Sequence, residues 1–132
     1  MDESSVTSSA GLELSARSQL VASVREMDRL GLNRGTSGNC SVRSKRGFLI
    51  TPSGVGGVNL SPDAVVEMNL RGETLSGGEP SSEWRFHQDI MLKRQEVSAV
   101  VHTHSVYASA VSLFGKELPP FHYMIAVAGG SS

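Results

Sequence analysis

Cysteine is nearly absent. Cys40 is the single one among 132 residues, so no intramolecular disulfide can form and no Cys-based zinc site can be built, a usage that suits a reducing compartment. An excess of charge of one sign is missing as well. Twelve Lys plus Arg stand against thirteen Asp plus Glu, for a formal net charge of -1, which provides no overall field to draw in nucleic acid or an anionic membrane. Any acidic ligand has to be caught by local geometry. Nor does the chain contain the ~18 uninterrupted apolar residues of a membrane span, and its first residues, Met1-Asp2-Glu3-Ser4-Ser5, form neither a basic nor an apolar signal region. The sequence predicts a cytoplasmic chain with no nucleic-acid or membrane partner.

What is present suffices for one globular domain: 39% hydrophobic and 19% charged residues supply one core, and the length leaves no room for two. Residues 1–13, rich in Ser and acidic side chains, predict a flexible tail. From Leu14 the pattern changes, with Leu20, Val24, Met27 and Leu30 at helical spacing and Gly31 as terminator. Residues 31–39 hold three Gly and two Asn, which favour turns, and lead into strand-like Cys40-Ser41-Val42-Arg43. Further short strands are predicted at Phe48–Ile50 and Val65–Leu70. Ser81 and Ser82 are plausible N-caps for a helix over about 83–94 that buries Phe86, Ile90 and Met91 or Leu92. A strand over 97–103, a helix over 105–114 and a strand beginning at Tyr123 complete a layered α/β pattern.

His102-Thr103-His104 is the sharpest local signal. Residues two apart on a strand share a face, so both imidazoles could reach one divalent ion; a structural pair satisfied by hydrogen bonds is the other reading. Glu83, in the first turn after two Ser, is a candidate carboxylate ligand, or else an anion that only complements the helix dipole. Gly38-Asn39, Ser53-Gly54 and Ser81-Ser82 are three small-residue turns that can offer N–H and O–H donors to a phosphate, although each alone is also an ordinary turn or cap. His87 lies one helical turn beyond Glu83 and could be a further ligand or a core or surface histidine. His122 is a weaker candidate, Tyr123 could supply a phenolic proton, and Trp84 and Phe86 are assigned to packing.

Taken together, these blocks resemble the class II aldolase/adducin family. The residues that carry the resemblance are Gly31-Leu32-Asn33-Arg34-Gly35-Thr36-Ser37-Gly38-Asn39-Cys40-Ser41-Val42-Arg43, Leu49-Ile50-Thr51-Pro52-Ser53-Gly54, Pro80-Ser81-Ser82-Glu83-Trp84-Arg85-Phe86-His87, Ala99-Val100-Val101-His102-Thr103-His104 and His122-Tyr123-Met124-Ile125-Ala126. With Ala128-Gly129-Gly130 after the last block, the resemblance covers nearly everything from about residue 16 to the end, in the family's order, and is greatest to the branch that cleaves L-fuculose 1-phosphate. A branch of ribulose-phosphate 4-epimerases is less similar, since it usually has Asp at the position of Glu83. An inactive or regulatory subunit is the further alternative.

The resemblance implies a three-layer α/β/α sandwich with a mixed, largely antiparallel sheet, of which residues 14–132 form the N-terminal part. It implies Zn2+ held by Glu83, His102 and His104, with Glu83 also the acid/base, and a phosphate cradle of Gly38, Asn39, Ser53, Gly54, Ser81 and Ser82. It makes Tyr123 a catalytic residue that reaches a neighbouring subunit's site in a homotetramer. A phosphorylated sugar would be cleaved to dihydroxyacetone phosphate and a small aldehyde such as lactaldehyde. No Schiff-base lysine is required, in keeping with the absence of Lys from residues 47–92. The family's third metal histidine falls beyond Ser132, so the ligand set in this chain is expected to be incomplete.

Overall fold

The computed structural model describes residues 3–117, 119, 123 and 124. Helix α1 spans Glu3–Arg29, so the stretch predicted as a flexible tail is helical from Glu3 onward. No Pro interrupts residues 3–13 and Ser costs a helix only a few tenths of a kcal/mol, so α1 extends back from its packed part. Packing begins at Ala16 and continues through the buried Leu20, Val21, Val24 and Met27.

Five strands follow the turn: β1 (Asn39–Ser44), β2 (Gly47–Ile50), β3 (Val66–Met68), β4 (Thr74–Ser76) and β5 (Ala99–His102). They form one sheet in the order β4-β3-β2-β1-β5, and every pairing among the described residues is antiparallel. The expected parallel component of a mixed sheet is not found among them. Strand β3 is shorter than predicted because Asn69 leaves the ladder. Its Oδ1 accepts the N–H groups of Arg71 and Glu73 and closes the turn into β4.

The period-two alternation of β2 divides the core between the two faces of the sheet. Leu49 points to one face, where it packs with Cys40, Leu60 and Val65 beneath α1. Phe48 and Ile50 point to the other and join Val66, Met68 and Met91, the last from helix α2 (Trp84–Lys93). An α/β/α layering results. In α2 the fully buried residues are His87 and Met91; Phe86 and Ile90 are half-buried and Leu92 is exposed, so the predicted apolar face is rotated toward the histidine. Helix α3 (Val106–Ser112) follows β5. The strand predicted from Tyr123 lies outside the described residues except for Tyr123 and Met124, which are not in a strand.

The direction of α2 is set by Arg43 near the far end of β1. Its guanidinium donates to the carbonyls of Met91 at 2.9 Å and Val97 at 3.0 Å, so a cation sits at the carbonyl end of the helix. With the C-terminus of α2 held there, its N-terminus is carried back to Asn39, where β1 begins.

Candidate metal centre and phosphate cleft

Three elements deliver the site. The β1–β5 register sets Asn39 opposite His102, and α2 brings Glu83 to the same end of the sheet. Glu83 occupies the N-cap of α2 but makes no side-chain capping bond. Ser81 serves there instead, its Oγ accepting the Glu83 N–H at 3.3 Å. The Glu83 carboxylate is thus turned to the sheet, where Asn39 Nδ2 donates to its Oε2 at 2.6 Å. Complementing a helix dipole does not account for that direction.

Glu83, His102 and His104 each offer one ligand atom, all within 4.8 Å of one another. Strand β5 ends at His102, so His104 is not on the strand as predicted, yet the two rings lie 4.7 Å apart at 53°. The turn is fixed from below by Asn33, a buried side chain whose Oδ1 accepts the His104 N–H at 2.9 Å. His102 Nδ1 is a test of fit. It lies 2.9 Å from Glu83 Oε2, but among the described residues it is the buried side-chain nitrogen left without an aligned hydrogen-bond partner. Two ligand-type atoms held this close suit common ligands of one cation, and nitrogen with carboxylate oxygen is a donor set that divalent zinc accepts.

Burial by itself pushes the Glu83 carboxyl up. The hydrogen bond from Asn39 and the neighbouring His102 and His104 rings together outweigh it and hold the group below the ordinary carboxylate range. The site therefore favours an ionised Glu83, as both metal binding and proton abstraction require.

Beside this group opens a cleft of about 270 Å³, lined by Gly38, Asn39, Ser53, Gly54, Ser81, Ser82, Glu83 and His104. All six predicted phosphate residues are brought together. The bridge between Pro52 and Pro80 holds two of the three turns side by side. Gly38 is required by its surroundings: its φ is 75°, and a Cβ would lie 2.4 Å from the Asn33 side chain. Some donors are already spent. The Ser53 N–H goes to Glu79 O and the Ser81 N–H to Thr51 O, so these serines offer hydroxyls rather than amides. The Asn39 side chain is engaged by Glu83 and His87, so its amide is not free for an anion. A larger hollow of about 410 Å³ between α1 and the β1–β2 hairpin contains none of these residues, and its buried Glu67 is bonded to Arg46 and Ser44.

Tyr123 is exposed and does not line the cleft, and His122 lies outside the described residues. His87 is not a member of the ligand group. It is fully buried behind Asn39, with Nε2 at 2.5 Å from Asn39 Oδ1 and Nδ1 at 2.7 Å from Ser41 Oγ. Asn33, Ser41 and His87 are thus supporting residues that the sequence motifs did not single out for these roles.

Burial pushes the His87 ring from its ordinary 6.5 down to about 4; the positive charge of a protonated His102 adds to this and Glu83 opposes it. The folded chain therefore resists protonation that the unfolded chain accepts, so the unfolded state binds more protons as the pH falls. Stability is full above about pH 6.5 and should decline toward pH 4 by up to about 3 kcal/mol. Urea unfolding at pH 7 and pH 4.5 measures the loss, and His87→Gln should remove most of this pH dependence.

Residues 18–132 match the family model described as the class II aldolase and adducin N-terminal domain. The chain is 46% identical over 121 residues to a 5-methylthioribulose-1-phosphate/5-deoxyribulose-1-phosphate aldolase of Rhodospirillum rubrum, covering 92% of this chain and 55% of that protein. It is also 46% identical over 114 residues to the L-fuculose phosphate aldolase of Escherichia coli, covering 86% and 53%. Among solved structures, an L-fuculose 1-phosphate aldolase superposes with a TM-score of 0.77 at 33% identity, over 86% of this chain and 55% of that one. The chain spans about half the length of the curated relatives it matches. On the family match and these identities, the chain belongs to the class II aldolase and adducin family.

Proposed function

We propose that the protein is a zinc-dependent aldolase that cleaves a ketose 1-phosphate of the L-fuculose 1-phosphate type into dihydroxyacetone phosphate and a small aldehyde such as lactaldehyde. The observation that carries this reading is the position of Glu83. An ionised carboxylate stands with two imidazoles at the mouth of a cleft lined by phosphate donors. The relatives' names support the substrate class, because methylthioribulose, deoxyribulose and fuculose 1-phosphates share the phosphate end and differ at the other.

Glu83, His102 and His104 would hold the ion, which supplies Lewis-acid polarisation of the substrate carbonyl when bound. The serine hydroxyls and the backbone around Gly38 and Gly54 hold the phosphate. In the direction of synthesis, Glu83 removes a proton from the hydroxymethyl carbon of dihydroxyacetone phosphate. That carbon then bonds to the aldehyde carbon, and the aldehyde oxygen takes a proton. We assign that last proton to Tyr123 of a neighbouring subunit in a cytoplasmic homotetramer, with residues 14–132 as the N-terminal part of one domain. An exposed Tyr123 outside its own chain's cleft is compatible with this role.

Release of dihydroxyacetone phosphate by the zinc-loaded full-length protein tests the reading, with L-fuculose 1-phosphate and 5-deoxyribulose 1-phosphate as alternative substrates. Ser82→Ala should raise KM by about 10- to 100-fold, the worth of one hydrogen bond to a charged group, with a smaller effect on kcat. Release from neither substrate, or epimerisation of ribulose 5-phosphate in its place, overturns the assignment.

A further inference from the structure

We propose that His87 is a positioning residue for proton transfer: acting through the Asn39 amide, it fixes the direction of the Glu83 carboxylate. This inference rests on the reading of Glu83 as the base. It starts from a chain of side chains, Ser41 to His87 to Asn39 to Glu83, the first three of them buried, with successive separations of 2.7, 2.5 and 2.6 Å.

Each proton in the chain can be assigned. An ionised carboxylate only accepts, so the Asn39 NH2 group faces Glu83 and its carbonyl oxygen faces His87. That oxygen also only accepts, so His87 must carry its proton on Nε2. A neutral imidazole has one N–H, which leaves Nδ1 as acceptor and makes the Ser41 hydroxyl the donor. Ser41 and His87 are 2% and 0% exposed, respectively, so water does not compete for these positions. The ring plane is held as well. Phe86 stacks on His87 with centroids 4.3 Å apart and 27° between planes, and presents an edge to His102 at 5.2 Å.

The consequence concerns the amide. Asn39 can point either end at Glu83, and only one end attracts a carboxylate. With His87 donating to the oxygen, the other arrangement would set N–H against N–H on one side and oxygen against carboxylate on the other. Without His87, the buried Asn39 oxygen loses its partner and the amide is free to turn over. The carboxylate then loses both its orientation and its donor. His87 thus reaches the reacting carbon only through two other side chains.

The test uses the full-length protein. Imidazole 15N NMR from pH 5 to 8, with and without the metal, should show His87 protonated at Nε2 alone; a proton on Nδ1 overturns the proposal outright. His87→Leu should slow the exchange of the dihydroxyacetone phosphate proton with solvent by about 10- to 100-fold, the usual loss on removing a partner of a metal-site residue. Its affinity for dihydroxyacetone phosphate should stay within about threefold, as expected when orientation rather than binding is lost. His87→Gln, whose amide can still donate to Asn39, should recover much of the rate. If Glu83→Gln stops exchange while His87→Leu does not, the positioning role fails and the base assignment stands. If Glu83→Gln leaves exchange intact, the base assignment fails, and the positioning role with it. Should His87→Leu not fold, His87→Phe, a ring that can stack on Phe86 but cannot donate to Asn39, takes its place with the same expected loss of exchange.

Discussion

Glu83→Gln in the full-length zinc-loaded protein is expected to lower turnover by about two to four orders of magnitude, the range for loss of a positioned general base. Gln keeps the size of Glu and can still accept the Asn39 hydrogen bond that holds the carboxylate at 2.6 Å. What it cannot do is take a proton. The serine hydroxyls of the cleft and the amides near Gly38 and Gly54 are untouched, so affinity for the phosphate should change far less than kcat. Because Glu83 also stands in the ligand group, zinc content has to be measured alongside the rate. A variant that keeps its zinc and its phosphate affinity but loses proton exchange identifies the base. One that exchanges the dihydroxyacetone phosphate proton normally while failing in cleavage transfers that role elsewhere, with Tyr123 or a metal-activated water as candidates.

The second large effect is expected at the histidines. His102→Ala or His104→Ala in the full-length protein should weaken zinc binding by about two to three orders of magnitude, one ligand's share of the ~10–16 kcal/mol with which proteins hold structural zinc. The two substitutions should differ in their side effects. His102 is half-buried and edge-on to Phe86, so its removal leaves a gap beside α2. His104 is exposed, and its backbone N–H stays on Asn33 whatever the side chain. His104→Ala is therefore the cleaner probe, with zinc lost and melting temperature of the metal-free protein unchanged. Metal content after dialysis against a chelator measures the first, and about one zinc per chain still present in both variants would remove them from the ligand set.

Why some of this was legible in the sequence and some was not follows from the range of the interactions. The paired histidines, the turn at Gly38 and the serines before α2 are local patterns whose chemistry is read from neighbours, and the structure brings the turn, the serines and His104 to one cleft with His102 beside it. The helix from Leu14 and the alternation at Phe48–Ile50 were visible for the same reason. Residues 3–13 misled because a polar composition lacks a packed face yet contains no helix breaker except Gly11. The direction of Glu83 could not be read locally: first-turn placement points to the helix dipole, whereas the partner that decides it, Asn39, is 44 residues away. His87 is the same case. A histidine one turn after a candidate ligand invites a ligand reading, and only contacts to Asn39 and Ser41 show it facing the interior.

The strand order β4-β3-β2-β1-β5 also bears on how the protein assembles and comes apart. Its first four strands are a meander of chain neighbours, joined by short turns at residues 45–46 and 69–73 and by the longer segment 51–65. The contacts that build the site belong instead to the closing of long loops, such as the 71 residues between Asn33 and His104. Pairings of low sequence separation cost less loop entropy than long-range ones, so we expect the site, which needs both α2 and β5 in place, to close after the meander has formed. Strand β5, like β4 at the other edge, has one neighbour within the described sheet, so the site stands at an edge where partial opening is least opposed. An ion shared between Glu83 and the end of β5 would fasten that seam and so couple metal capture to the closing of the site.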